Sequence, residues 1–130
     1  VGTIPDEICL FSSLEEINLS NNQLEGSIPE CLTTMTSLEN IRLSGNMLTG
    51  TLPTGLLGLP NLRRINLENN EFTGSLDNAI TFDDESKMGS SPLQFFSVKQ
   101  NELEGTVPST FANFPSLETL DLSENKFEGD

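Results

Sequence analysis

Between residues 14 and 35 the apolar side chains fall at Leu14, Ile17, Leu19, Leu24, Ile28, Leu32 and Met35, with polar residues filling nearly everything between them. Ile17, Asn18 and Leu19 alternate apolar, polar, apolar, the period of a strand with one buried face. The same phase restarts at Leu38, Leu62, Leu93 and Leu117, after the first leucine at Leu14, in steps of 24, 24, 31 and 24 residues. Short strands are therefore predicted around residues 16–19, 40–43, 64–67, 95–98 and 119–122. Because each tile repeats the phase of the last, the strands should lie parallel in one sheet, about 4.8 Å apart. Residues 1–13 read as the tail of an earlier tile, since Ile4 and Pro5 match Ile28 and Pro29.

Seven apolar side chains in a tile cannot offset the ordering of some two dozen residues, at about 1.5 kcal/mol each. Only stacking, which gives each tile an apolar neighbour and a ladder partner on both sides, makes such a unit stable. Two further columns fit a stack. Asn22, Asn46, Asn70, Asn101 and Asn125 recur where the chain must turn after its strand, and a side-chain amide offers both donor and acceptor to turning backbone. They are expected to form a structural ladder. Glycines at 26, 50, 74, 105 and 129 recur where the backbone turns again without room for a Cβ.

The tile pattern L-x-x-L-x-L-x-x-N-x-L-x-G-x-I-P resembles the plant-type leucine-rich repeat. The resemblance implies an α/β-type repeat solenoid, curved, with a short-stranded parallel sheet on the concave face and irregular or 3-10 segments on the convex face. The whole of residues 1–130 then forms one leucine-rich repeat domain fragment: a partial repeat at 1–13, repeats at 14–37, 38–61, 62–92 and 93–116, and a partial repeat at 117–130. The third repeat departs from the pattern, with Asp77 in place of the proline and seven extra residues. Both ends fall inside a tile, which reads as a piece of a longer protein with uncovered apolar faces.

Composition narrows the function. The chain has no His, Trp or Tyr, which removes the side chain that most often serves as a base near neutral pH and as a metal ligand. No enzyme, metal or cofactor is expected. A formal charge of −14 sets a field that repels phosphate backbones, so nucleic acid is not an expected partner. No apolar run is long enough to enter a bilayer.

What remains for function is the outward set on the strands. Five of the six basic residues, Arg42, Arg63, Arg64, Lys99 and Lys126, lie in or beside strand segments. One reading makes them counter-charges for Glu16, Glu39, Glu68 and Asp121. The other makes Arg42, Arg64, Asn66, Phe95 and Lys99 a concave ligand-binding patch, since arginines and exposed aromatics are enriched at binding hot spots. Some receptors of the resembled family hold a peptide's terminal carboxylate with an R-x-R pair on one strand. Here Arg63 and Arg64 are consecutive and should point apart, so Arg42 would have to supply the second arginine from the next strand.

Four smaller features complete the reading. The segment "TFDDESKMGSSP", residues 81–92, is expected to be a solvated loop on the convex or edge side, detachable by deleting 82–88, rather than a calcium site at Asp83, Asp84 and Glu85. Cys9 and Cys31 sit two positions out of register, which favours two thiols over a bridge. Asn18 opens the only N-x-S/T pattern in the chain, on the sheet face where a glycan would obstruct ligand, so it is expected to stay bare. Thr and Ser beside the glycines could order water as in an ice-binding surface, but Glu25, Glu104 and Glu128 break the row. The reading as a whole is a non-enzymatic module that binds a protein, peptide or saccharide through its concave or lateral face, part of an extracellular or cell-surface receptor-like ectodomain. A secreted inhibitor or a structural wall-type protein of the same repeat is the alternative, and ice binding a third.

Overall fold

The computed structural model describes residues 2–82 and 85–128. Its strands, in chain order, are β1 (Gly2–Thr3), β2 (Glu16–Asn18), β3 (Leu24–Gly26), β4 (Asn40–Arg42), β5 (Met47–Leu48), β6 (Arg64–Asn66), β7 (Phe95–Ser97), β8 (Glu104–Thr106), β9 (Thr119–Asp121) and β10 (Lys126–Glu128). β2, β4, β6, β7 and β9 form the parallel five-stranded sheet, at the positions that the leucine phase predicts. Register puts Ile17, Ile41, Ile65, Phe96 and Leu120 in one inward row. The fold is the repeat solenoid that the tile pattern implies.

A second ladder runs along the flank, with β1, β3 and β5 paired in parallel and β8 paired with β10. The third tile has no strand there, yet the ladder continues through it. The Glu71 amide donates to the Leu48 carbonyl (2.7 Å) and the Glu102 amide to the Phe72 carbonyl (2.9 Å). Gly74 shows why this flank carries glycine. Its φ is +83°, and a Cβ there would lie 2.8 Å from the Thr51 methyl of the tile before, so a larger residue would suffer both strain and collision.

The convex side is made of 3-10 segments at Asp6–Leu10, Glu30–Thr34, Leu56–Gly58, Glu85–Ser90 and Ser109–Asn113. Between them and the sheet lies one core, in which Leu38, Ile41, Leu62, Ile65, Phe72, Leu93 and Phe96 have essentially no exposed surface.

The asparagine column is wired between tiles. Asn70 Oδ1 accepts from the Leu48 amide at 3.0 Å, while its Nδ2 donates to the Leu43 carbonyl at 2.9 Å, both in the preceding tile. The same Nδ2 reaches its own tile at the Leu67 carbonyl, 3.2 Å away. Asn46, Asn101 and Asn125 repeat this arrangement. Asn22 donates its backbone amide hydrogen to Asn46 Oδ1 and an Nδ2 hydrogen to the Ser20 carbonyl.

Two expectations need correction. Cys9 and Cys31 are bridged, with Cα atoms 6.1 Å apart. Both lie on 3-10 segments, where each residue rises only about 2 Å. Two positions of offset thus add about 4 Å along the segment to about 4.8 Å between tiles, and the two combine to about 6 Å. That is within disulfide reach.

The insertion is also more than a solvated loop. Phe82 packs on the core, its ring 5.9 Å from that of Phe114. Phe114 meets Phe111 at 6.0 Å, and Phe111 stacks on Phe96 of β7 at 5.8 Å. An aromatic chain thus joins the insertion to the sheet, and deleting 82–88 would remove its outer member. Just before the insertion, the Ala79 carbonyl accepts from the Leu57 amide of the preceding tile at 2.8 Å. Asp83 and Asp84, two of the three residues considered for calcium, lie outside the described residues.

Candidate functional site

Strand pleating turns alternate residues of the five-stranded sheet to the concave side. Register arranges them in rows: Glu16, Asn40, Arg64, Phe95 and Thr119, then Asn18, Arg42, Asn66, Ser97 and Asp121. A third row follows just past the strands, with Ser20, Ser44, Glu68, Lys99 and Ser123. In these rows Arg42, Arg64 and Lys99 face Glu16, Glu68 and Asp121. The concave face is charge-balanced in a chain whose net charge is −14.

The cations are not equivalent. Arg42 Nε lies 3.9 Å from Glu16 Oε2 and donates to Asn40 Oδ1 at 3.3 Å. Arg63 turns away from the sheet, with its Nε 3.9 Å from Glu39 Oε1, and Lys126 Nζ pairs with Glu102 at 3.3 Å. These three fit the counter-charge reading. Arg64 is different: among the described residues it makes no ion pair, and its guanidinium carbon lies 4.6 Å from the centroid of the Phe95 ring. Arg64 and Phe95 are register partners on β6 and β7, as counting two residues from each tile's first leucine requires.

A guanidinium laid over a ring face is held by the ring's quadrupole. Its N–H groups lie in the guanidinium plane and remain free to bind a planar anion in two-point fashion. Phe95 is half-buried, so it serves as both a floor for the cation and an apolar contact. Arg42 stands beside Asn66 in register, diagonal to Arg64. Asn66 Oδ1 accepts from the Glu68 amide at 3.0 Å, which fixes its orientation. Lys99 stands in the far row, close enough to Asp121 to help hold that carboxyl low.

Two concave features are not evident from the tile pattern. Ser97, placed outward by alternation, has no exposed surface; its hydroxyl donates to Glu68 Oε2 at 2.7 Å. That bond fixes the Glu68 carboxylate beside the patch. Asp121 is held below the ordinary carboxylate range, chiefly by the Ser123 hydroxyl and then by the Ser123 amide, both of which donate to its Oδ1. A hydroxyl two residues after a carboxylate is the signal that could have located it.

On the convex side a cleft of about 670 Å³ separates the insertion from the Ser109–Asn113 segment, lined by Ile80, Phe82, Met88, Pro108 and Thr110. Among the described residues no cluster of three or more His, Cys, Asp or Glu is placed to hold a metal. No helix among them is long and apolar enough to cross a membrane.

The Leucine Rich Repeat family profile matches residues 13–35, 37–59, 61–82 and 116–130. The comparison with curated proteins returns no match. Among solved structures, the chain is similar to the Arabidopsis receptor kinase HAESA, crystallised with the peptide hormone IDA and the co-receptor SERK1. Identity is 32% and the TM-score 0.86, over 97% of this chain and 20% of that one. A TDR receptor matches at 32% identity and a TM-score of 0.83, over 97% of this chain and 21% of that one. A plant ice-binding protein matches at 35% identity and a TM-score of 0.80, over 99% of this chain and 39% of that one. The chain spans about a fifth of the length of the two receptors.

Proposed function

The chain belongs to the leucine-rich repeat family, and from that premise we propose that it is a non-enzymatic recognition module within an extracellular receptor-like ectodomain. Its concave face takes an extended peptide or protein segment that carries a carboxylate. The observation that carries this reading is the Arg64–Phe95 pair: a cation seated on an aromatic ring, without an acidic partner among the described residues, in a strongly acidic chain. Arg42 and Asn66 stand in the next row along the strands and Lys99 in the row beyond. Likeness to a hormone-bound receptor supports a peptide as the ligand class, and a disulfide fits an oxidising compartment.

The charge pattern also favours this reading over ice binding. Thr3, Ser27, Thr51, Ser75 and Thr106 recur at matching tile positions on the flank, but the ladder pairs Thr3 with Glu25 and Thr106 with Glu128. Glu25, Glu104 and Glu128 are all exposed. Charged, strongly hydrated carboxylates disrupt an ordered water layer.

The test is an array of peptide pairs that differ only in a free or amidated C-terminus. Binding is expected to select the free carboxylate. Arg64→Ala and Phe95→Ala should each weaken it by about 30-fold, the equivalent of about 2 kcal/mol for a central anchor. Lys87→Ala should change it little. Peptides bound equally well by all three variants would show that the recognition surface lies elsewhere.

A further inference from the structure

We propose that Asn18 is an N-glycosylation site whose glycan borders the concave patch on its N-terminal side, rather than covering it. The proposal rests on the extracellular reading above. Asn18-Leu19-Ser20 is the only N-x-S/T sequence in the chain.

The structure separates Asn18 from the asparagines of the buried ladder by what its amide nitrogen does. In Asn46, Asn70 and Asn101 the side chain is buried, and Nδ2 is bonded to backbone carbonyls on two tiles. A substituent on any of those nitrogens would dismantle the fold. Asn18 is exposed, and its one side-chain bond is made through Oδ1, which accepts from the Ser20 amide at 3.3 Å. Nδ2 has no partner among the described residues and can carry a sugar without loss of a native contact.

In the transfer, Asn18 Nδ2 bonds to the anomeric carbon of a lipid-linked oligosaccharide. The bond from that carbon to the lipid diphosphate breaks, its electron pair leaves on the diphosphate, and the amide proton passes to the transferase. The hydroxyl that completes the N-x-S sequence read by the transferase is that of Ser20, which is half-buried against Ser44 in the folded chain.

Position determines the consequence. β2 is two strands from β6 and three from β7 in the sheet order, and Asn18 is one row further along the strands, so it stands roughly 12 Å from Arg64 and roughly 16 Å from Phe95 at the ordinary strand spacing and rise. It is, however, the register partner of Arg42. The glycan therefore shields Arg42 and the β2 end of the face, and leaves the Arg64–Phe95 pair open to ligand approaching from the β7 and β9 side.

The experiment expresses the protein behind a cleavable secretion leader in a eukaryotic host. Cleavage after glutamate releases the peptide Ile17–Glu25, read by mass spectrometry before and after treatment with a peptide N-glycanase. Glycosylated peptide is expected, with the glycanase removing the sugar and leaving aspartate in place of the asparagine. The signal should be lost in Asn18→Gln and in Ser20→Ala and retained in Ser20→Thr. Arginine modification by a phenylglyoxal should then label Arg42 at least about threefold more slowly in the glycosylated protein than in Asn18→Gln, with Arg64 labelled alike in both. Secreted protein whose peptide is wholly unmodified would overturn the site. Equal protection of Arg64 would overturn the bordering position. Neither result bears on the peptide array, and a failed array leaves the mass shift intact.

Discussion

The guanidinium of Arg64 on β6 lies over the ring of Phe95 on β7, carbon to centroid 4.6 Å, across a pair of Cα positions in parallel register. The contact depends on the stacking of tiles three and four despite the seven residues inserted between their strands. It is therefore a probe of local tile packing as well as of ligand recognition. In a double-mutant cycle of Arg64→Ala and Phe95→Ala, urea unfolding should give a coupling energy of about 0.5–1 kcal/mol, the range of a partly exposed cation–π pair. A coupling of zero would mean that the two side chains do not meet in solution.

Asn70→Ala should be among the most damaging single substitutions in the chain. It leaves the Leu48 amide without its partner in the interior, at about 1–3 kcal/mol for an orphaned buried group, and removes one of the two donors to the Leu43 carbonyl, which keeps Asn46 Nδ2. A loss of about 2–3 kcal/mol is expected in denaturant titration. Asn125→Ala, whose side chain is only half-buried at the last described tile, should cost less.

Reduction of Cys9–Cys31 should destabilise the protein by about 3 kcal/mol, the scale for a loop of 22 residues. The effect should be local. Hydrogen exchange is expected to speed up in residues 4–35 on reduction and to stay unchanged around β6 and β7.

Phe82→Ala should cost about 2 kcal/mol, less than a fully buried phenylalanine, because the ring is only half-buried at the outer end of the aromatic chain. Lys87→Ala, in the same insertion but exposed, should fall within about 0.5 kcal/mol of the parent. Thermal unfolding of the two variants checks the contrast.

Asp121 gives a pH signature. Its folded-state pKa is depressed, so its contribution to stability is present above the ordinary carboxylate range and lost as pH falls through the folded value. An NMR titration should show Asp121 among the last carboxylates to protonate on acidification. Ser123→Ala should move its midpoint upward, because the largest cause of the depression is the Ser123 hydroxyl.

The fold class and the strand positions were legible because period-two alternation and a 24-residue step act on nearly every tile at once, so one aberrant residue does not erase the signal. The Arg64–Phe95 adjacency was legible for the same reason, as equal offsets from Leu62 and Leu93 become register partners. Features set by the path of a single segment were not. The closeness of Cys9 to Cys31 depends on the short rise of 3-10 turns, and the docking of Phe82 depends on where the insertion re-enters the core. Burial of Ser97 likewise follows from the Glu68 side chain folding onto it, a contact between different tiles that no local pattern encodes. The asparagine column is visible as a repeat, but the direction of its bonds, backward into the preceding tile, is visible only in three dimensions.

That backward reach has a mechanical consequence. Each of Asn46, Asn70, Asn101 and Asn125 acts as a rivet through two plates, so no tile can be peeled away without drawing the next tile's asparagine from its socket. Pulled from its ends, the solenoid should resist until one rivet gives, then release a whole tile, about 80 Å of extended chain for roughly 24 residues. It should then hold again at the next rivet, in a staircase whose longest step belongs to the tile that carries the insertion.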